Sequence, residues 1–299
     1  MIKEEKNVAT KQPRRINWGK AGKTVLHNLL IAVLCIIWIL PIVWLVCTSF
    51  SAYDGMNTST FFPTEWSAIH YQETLFPAAD ETVNLFPIWF KNTFIIACWT
   101  MVISTMFVLM VAYATSVMRF KARKPLMNFA VILNLFPGML SMIAVYFVLK
   151  TFNLTNSHIG LILVYSASSG LGYLIAKGFF DTVPRSLCEA ARLDGCNEAM
   201  IFWKIVVPTS KPIIVYTIIN SFLAPWMDFV FAKMIMNAGL AENYTVAVGL
   251  YRMLDKNLII HYFTEFCCGG VLVSIPISVL FLIMQKYYVE GVTNGAVKG

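Results

Sequence analysis

A chain of 299 residues that is 58% hydrophobic and 13% charged cannot build an ordinary water-soluble surface, since soluble domains carry about 25% charged residues. The net charge of +7 does not signal nucleic acid either. The cations sit in short hydrophilic segments between long apolar runs that hold the aromatics, which is the pattern of a membrane protein.

In chain order, residues 1–24 form a polar tail. The apolar run after it is too long for a secretory signal core, so it reads as a span rather than a signal peptide. Crossing a bilayer core takes about 20 apolar residues in a helix. Six segments meet that length: Val25–Ser49, Phe94–Met118, Met127–Leu149, Ile159–Phe180, Pro212–Met236 and Phe266–Tyr288. The expectation is an all-α integral membrane chain with six transmembrane helices over 25–290 and a second tail at 291–299. Pro41, Pro137 followed by Gly138, Pro225 and Pro276 fall inside spans. Each removes a backbone hydrogen bond and is expected to kink its helix.

Of the 23 Lys and Arg, 18 lie on one side of this arrangement. The other side holds Lys91, Lys150, Lys233, Arg252 and Lys256. The richer side is expected to be cytoplasmic, with both termini and the loop 181–210 inside. The cysteines (Cys35, Cys47, Cys98, Cys188, Cys196, Cys267, Cys268) and histidines (His27, His70, His158, His261) show neither redox nor metal-ligand spacing. The cysteines read as small hydrophobes, and no metal site is expected.

The loop between the fourth and fifth spans reads D-T-V-P-R-S-L-C-E-A-A-R-L-D-G-C-N-E-A-M-I-F-W-K-I-V-V-P from Asp181 to Pro208. Pro184 suits the first turn of a helix and Gly195 its end. Leu187, Ala190, Ala191 and Asp194 should share one face, and the two alanines there allow close approach. A second helix, about Glu198 to Val206, carries Met200, Ile201 and Trp203, with Pro208 expected to end it. Two amphipathic helices outside the membrane must cover their apolar faces, whether on lipid or on the chain's own bundle.

Asp228, in P-W-M-D-F from Pro225 to Phe229, is the one acid deep in a span, and such residues are functional candidates by default. It could line a path, cap the break made by Pro225, or pair with a second subunit. Ser166, Ser168, Ser169, Asn220, Ser221 and Trp226 are path-lining candidates, or close helix-packing residues. The chain has no G-x-x-x-x-G-K-[ST] phosphate loop. Gly291, Gly295 and Gly299 have no strand before them, so no nucleotide cradle is expected there. No acid–base or metal constellation suggests an enzyme. An ion-coupled secondary transporter is the alternative transport class, although no inverted repeat is visible.

The spacing Glu189-Ala190-Ala191, Gly195, Ile205 and Pro208 resembles the coupling motif of the membrane subunits of binding-protein-dependent ABC importers, with Val207 where leucine is usual. The likeness runs along nearly the whole chain beyond about Lys23. Phe136–Tyr146, Tyr244–Tyr251 and Tyr288–Gly299 resemble the carbohydrate class, nearest its maltose-type and galactan-oligosaccharide branch. There Ala144 stands where many sugar-importer relatives have proline. The resemblance implies the type I importer permease fold and a bacterial cell membrane location. It implies a homologous second permease subunit, two ATPase subunits that bind ATP and Mg, an extracytoplasmic sugar-binding protein and an oligosaccharide substrate. It implies that this chain is non-catalytic and binds no cofactor of its own, and that its first helix wraps the partner permease. It also implies that Glu189, Ala190, Ala191, Asp194, Gly195, Ile205 and Pro208 couple to the ATPase. Asn237, Ala238, Gly239, Leu240, Ala241, Glu242 and Asn243 would meet the binding protein, and the carboxy-terminal tail would reach the ATPase interface.

Overall fold

The structure, a computed structural model, describes residues 18–56, 60–118, 120–167, 172–236 and 239–296. The described residues are helical apart from connecting turns and one isolated bridge between Ser51 and Trp66. Helix α1, Trp18–Ser49, includes the apolar stretch Val25–Ser49, whose most apolar window is not buried inside the chain at all. A helix apolar all round, with Trp38 77% exposed, needs lipid or another subunit around it. Pro41 lies inside it without breaking it. The short helix α2, Ile69–Leu75, packs on the last helix.

Helix α3, Phe86–Ser116, is the central post. At 1.5 Å per residue its 31 residues are about 46 Å long. Its buried side carries Thr93, Ala97, Thr100, Ser104 and Ala112. Such small and hydroxylated residues let neighbouring helices approach closely where lipid gives no hydrophobic drive.

The third expected span is not one kinked helix. It is α4, Arg123–Asn134, and α5, Gly138–Thr151, set at 102°. Pro137 sits at the N-cap of α5 with ψ 122°, an extended conformation that stops α4 and starts α5 afresh. The fourth comprises α6, His158–Ala167, and α7, Gly172–Phe180. Ser168 and Ser169 lie between them, outside the described residues.

The cytoplasm-assigned loop holds α8, Arg185–Leu193, and α9, Glu198–Ile201. A π-helical turn, Phe202–Val206, and α10, Val207–Thr209, follow. Pro208 therefore does not end this segment. It has no N–H to donate back, and just before it the ladder widens so that Val207 N–H reaches Phe202 O. An 89° corner at Ser210 leads into α11, Lys211–Met227. The fifth span then breaks at Asp228–Phe229 and resumes as α12, Val230–Met236. Helices α13, Val246–Met253, and α14, Ile259–Ala296, complete the chain.

Helix α14 passes through 290 without interruption, so the tail expected from 291 is helical through Ala296. Among the described residues three helices are long and apolar enough to cross a membrane, and the bent pairs bring the number to as many as six. Helix α3 packs against α6, α7 and α11, and α14 packs against α1, α11 and α13.

Candidate coupling loop and transport path

Helix α8 stops by a mechanism its sequence dictates. Cys196 N–H bonds Ala191 O at 2.9 Å and Gly195 N–H bonds Arg192 O at 3.1 Å. This paired closure is the Schellman motif, and it needs a left-handed residue at its turn. Gly195 supplies it with φ +83°, a region costly to residues with a Cβ. The next helix is capped by Asn197, whose side chain accepts from Met200 N–H at 2.8 Å.

The loop packs onto its own bundle by one face. Cys188, Ala191, Ile201, Phe202 and Val206 are buried in a cluster with Val108, Tyr113 and Phe180. Ile205 is half-buried beside them. Ala191 therefore points inward, apart from Leu187, Ala190 and Asp194, which remain on the open face. That open face also carries Glu189, and Leu193 there is 90% exposed. Pro208 is exposed at the far end, where the chain turns into α11.

Polar contacts lock the inner face. Glu198 accepts from Tyr113 Oη at 2.6 Å and from Arg192 Nε at 2.8 Å. The hydrogen bonds from Arg192 and then Tyr113 hold the Glu198 carboxyl below its usual range. The same partner raises Arg192. Beside this, Asp181 accepts from Ser116 Oγ at 2.5 Å, pairs with Lys177, and lies 3.8 Å from Arg123. Burial pushes the Asp181 carboxyl up, but Lys177, Ser116 and Arg123 together outweigh it and hold it low. Sequence reasoning missed the Tyr113–Glu198–Arg192 group. Glu198 just after a capping Asn197 was the available signal, but its partner on α3 lies 85 residues away.

At the other end of α3 lies the loop assigned to the binding protein. Asn237 and Ala238 lie outside the described residues. The rest is pinned to the bundle rather than free. Trp89 Nε1 donates to Ala241 O at 2.8 Å, Asn92 Nδ2 to Glu242 O at 2.7 Å, and His158 Nε2 lies 2.9 Å from Asn243 O. Leu240, 71% exposed, and Glu242 face outward. Gly239 lies against Asn156. Gly249 of α13 faces Trp89 so closely that a Cβ would meet the ring at 2.1 Å. Nearby, Lys233 Nζ stands 3.9 Å from the Tyr251 ring centroid, a cation–π contact. With Arg252 and Asp255 these residues line a cavity of about 220 Å³.

Asp228 fills the break in the fifth span. Its carboxylate accepts from Ala232 N–H at 2.9 Å, Phe231 N–H at 3.3 Å and Tyr165 Oη at 2.7 Å. It thereby satisfies the first amides of α12 and ties them to α6. Ser221 Oγ bonds Ser104 Oγ at 3.0 Å between α11 and α3. Trp226 is buried against Phe90 and Phe222. Asn220 is exposed and donates to Tyr216 O of its own helix at 2.8 Å. Ser166 borders a largely apolar cavity of about 470 Å³ with Ile103, Phe107 and Tyr173. The candidates among the described residues therefore do not converge on one polar chamber.

A protein family described as the inner membrane component of binding-protein-dependent transport systems matches residues 104–294. The galactooligosaccharides transport system permease protein GanQ of Bacillus subtilis is 33% identical over 91% of this chain and 94% of its own. The maltodextrin transport system permease protein MalD of Streptococcus pneumoniae is 35% identical over 73% of this chain and 77% of its own. The maltose/maltodextrin transport system permease protein MalG of Yersinia pestis is 30% identical over 100% of both. A crystal structure of a bacterial ABC transporter involved in alginate import superposes on this fold with a TM-score of 0.77 at 21% identity, covering 93% of this chain and 100% of that one. The fold is that of an ABC importer permease, and the chain belongs to the family of inner membrane components of binding-protein-dependent transport systems.

Proposed function

We propose that this chain is one permease subunit of an ATP-driven importer of maltodextrin-type or galacto-oligosaccharides, forming half of the translocation pathway beside a homologous partner. The names of its relatives support the substrate class. Family membership favours ATP-driven import over ion-coupled secondary transport and gives the chain a non-catalytic role. ATP and Mg are bound by two ATPase subunits. The observation that carries the reading is the loop after α7, fixed by its inner face and presenting Leu187, Glu189, Ala190, Leu193 and Asp194 around a left-handed Gly195. A rigid ridge of this kind transmits movement of a docked subunit into α3 and α11.

The loop end of α3 is the cytoplasmic end, where Arg123, Lys177 and Arg192 gather. The opposite end presents Leu240 and Glu242 to the extracytoplasmic binding protein. The uncovered α1 lies against the partner permease and lipid. Asp228 acts structurally, by capping α12. The test is cross-linking from a single cysteine at Leu187 in a background where the seven native cysteines are replaced. ATP-sensitive cross-links to the ATPase are expected. Labelling of that cysteine by a lipid-phase reagent, with no ATPase adduct, would overturn the assignment.

A further inference from the structure

The end of the bundle away from the coupling loop holds a polar cluster that the transport reading does not use. Helix α2 contributes His70 and Glu73, and α14 contributes Glu265. One donor atom from each lies within 4.8 Å of the other two. His70 is 3% exposed. Its Nδ1 lies 2.8 Å from Glu73 Oε2. Its buried Nε2 has no hydrogen-bond partner and lies 3.6 Å from Asp54 Oδ1. Asn84, itself buried, donates to the Glu265 carboxylate and to Glu73 O, which fixes Glu265 from behind. Glu81 is adjacent but already accepts from Val83 and Asn84 amides. Among the described residues no Lys or Arg pairs with Asp54, Glu73, Glu81 or Glu265.

The charge balance decides what this cluster can do. Several carboxylates converge on one imidazole, and a buried carboxylate such as Glu265 is costly without a countercharge. Hydrogen bonding from Asn84 orients Glu265 without supplying a countercharge. An imidazole with two carboxylates is a donor set of first-row divalent cations, zinc above all. Zinc–donor bonds of about 2.0–2.2 Å set tetrahedral donor spacings near 3.3 Å. The present spacing needs a contraction of roughly 1.5 Å at most. Glu73, half-exposed on a flexible stem, can provide it. An outer hydrogen bond to a ligating carboxylate, as from Asn84, is the usual support of such sites.

We propose that His70, Glu73 and Glu265 form a divalent transition-metal site that staples α2 to α14. Sequence spacing conceals it, because Glu265 is nearly two hundred residues from His70.

The test uses the assembled transporter, purified without a polyhistidine tag, stripped with chelator and titrated with zinc against a chromophoric competitor. One tightly held zinc per copy of this chain is expected. His70→Gln and Glu265→Gln should each weaken it at least tenfold, whereas His261→Gln should not. Zinc-edge X-ray absorption on the unsubstituted transporter, independent of how the variants fold, should show one imidazole among oxygen ligands. Affinity in His70→Gln equal to the unsubstituted protein, or an edge spectrum with no imidazole, overturns the site. Either result leaves the permease reading intact, since that reading rests on family membership and the loop after α7 and not on this cluster.

Discussion

Tyr113→Phe isolates the bond that anchors the coupling loop. The hydroxyl donates to Glu198 at 2.6 Å, and the ring packs edge-on to Phe202 with centroids 5.2 Å apart. Phenylalanine keeps the ring and removes only the hydrogen bond. A hydrogen bond to a charged group contributes about 1.5–3 kcal/mol. Glu198 is 41% exposed, so the lower end applies. The Arg192–Glu198 pair survives, but such half-exposed pairs contribute at most about 1 kcal/mol. A loss near 1.4 kcal/mol shifts the docked-to-undocked ratio of the loop about tenfold. Hydrogen exchange read by mass spectrometry over residues 185–206 should therefore rise several-fold, with the middle of α3 unchanged. Combined with Glu198→Gln the effects should be non-additive, because both act on the same contact. Unchanged exchange in Tyr113→Phe, or simple additivity with Glu198→Gln, would refute the anchoring role.

The same anchor carries a pH signature. Because Glu198 titrates lower in the folded chain than its ordinary value near 4.3, its stabilisation is full at neutral pH. It is lost as pH falls through the depressed value. The stability gap between unsubstituted protein and Tyr113→Phe, read by thermal unfolding in detergent, should narrow as pH falls below the ordinary glutamate range. Gly195→Val should reduce binding-protein-stimulated ATP hydrolysis more than Gly195→Asn, although a Cβ there meets nothing within 4 Å. The cost is the left-handed backbone alone, which asparagine tolerates. Gly249→Ala should destabilise by about 1–3 kcal/mol through overpacking against Trp89, and lower yield in membranes should be partly restored by Trp89→Phe. Asp228→Asn, which keeps an acceptor for the α12 amides, should retain most transport, whereas Asp228→Leu should lose most of it. Equal loss in both would move Asp228 from capping to a charge-dependent role.

The sequence made some elements legible because their signals are local. Pro184 immediately before α8 and Gly195 two residues after it bracket the helix, since start and stop chemistry depends on neighbours alone. The apolar lengths gave the spans, but not their breaks. Pro137 carried enough information for an interruption, but no local signal sets its size, 102°. Periodicity puts Ala191 on one face of α8 with Leu187, Ala190 and Asp194. Cys188, one turn earlier, drew that side into the cluster around Phe180 instead. The contacts that hold the sites are long-range: Tyr113 with Glu198, Trp89 with Ala241, Asn84 with Glu265. No spacing rule reveals pairs that only the packed bundle brings together.

The central claim is that ATP hydrolysis, coupled through this chain, drives sugar inward. The direct measurement is uptake of a labelled maltodextrin or galacto-oligosaccharide into proteoliposomes holding the assembled transporter, its binding protein and internal ATP. Uptake should require ATP, persist with ionophores that collapse every ion gradient, and vanish in Glu189→Lys while the complex still inserts. Uptake that proceeds without ATP and disappears with ionophore would contradict the account.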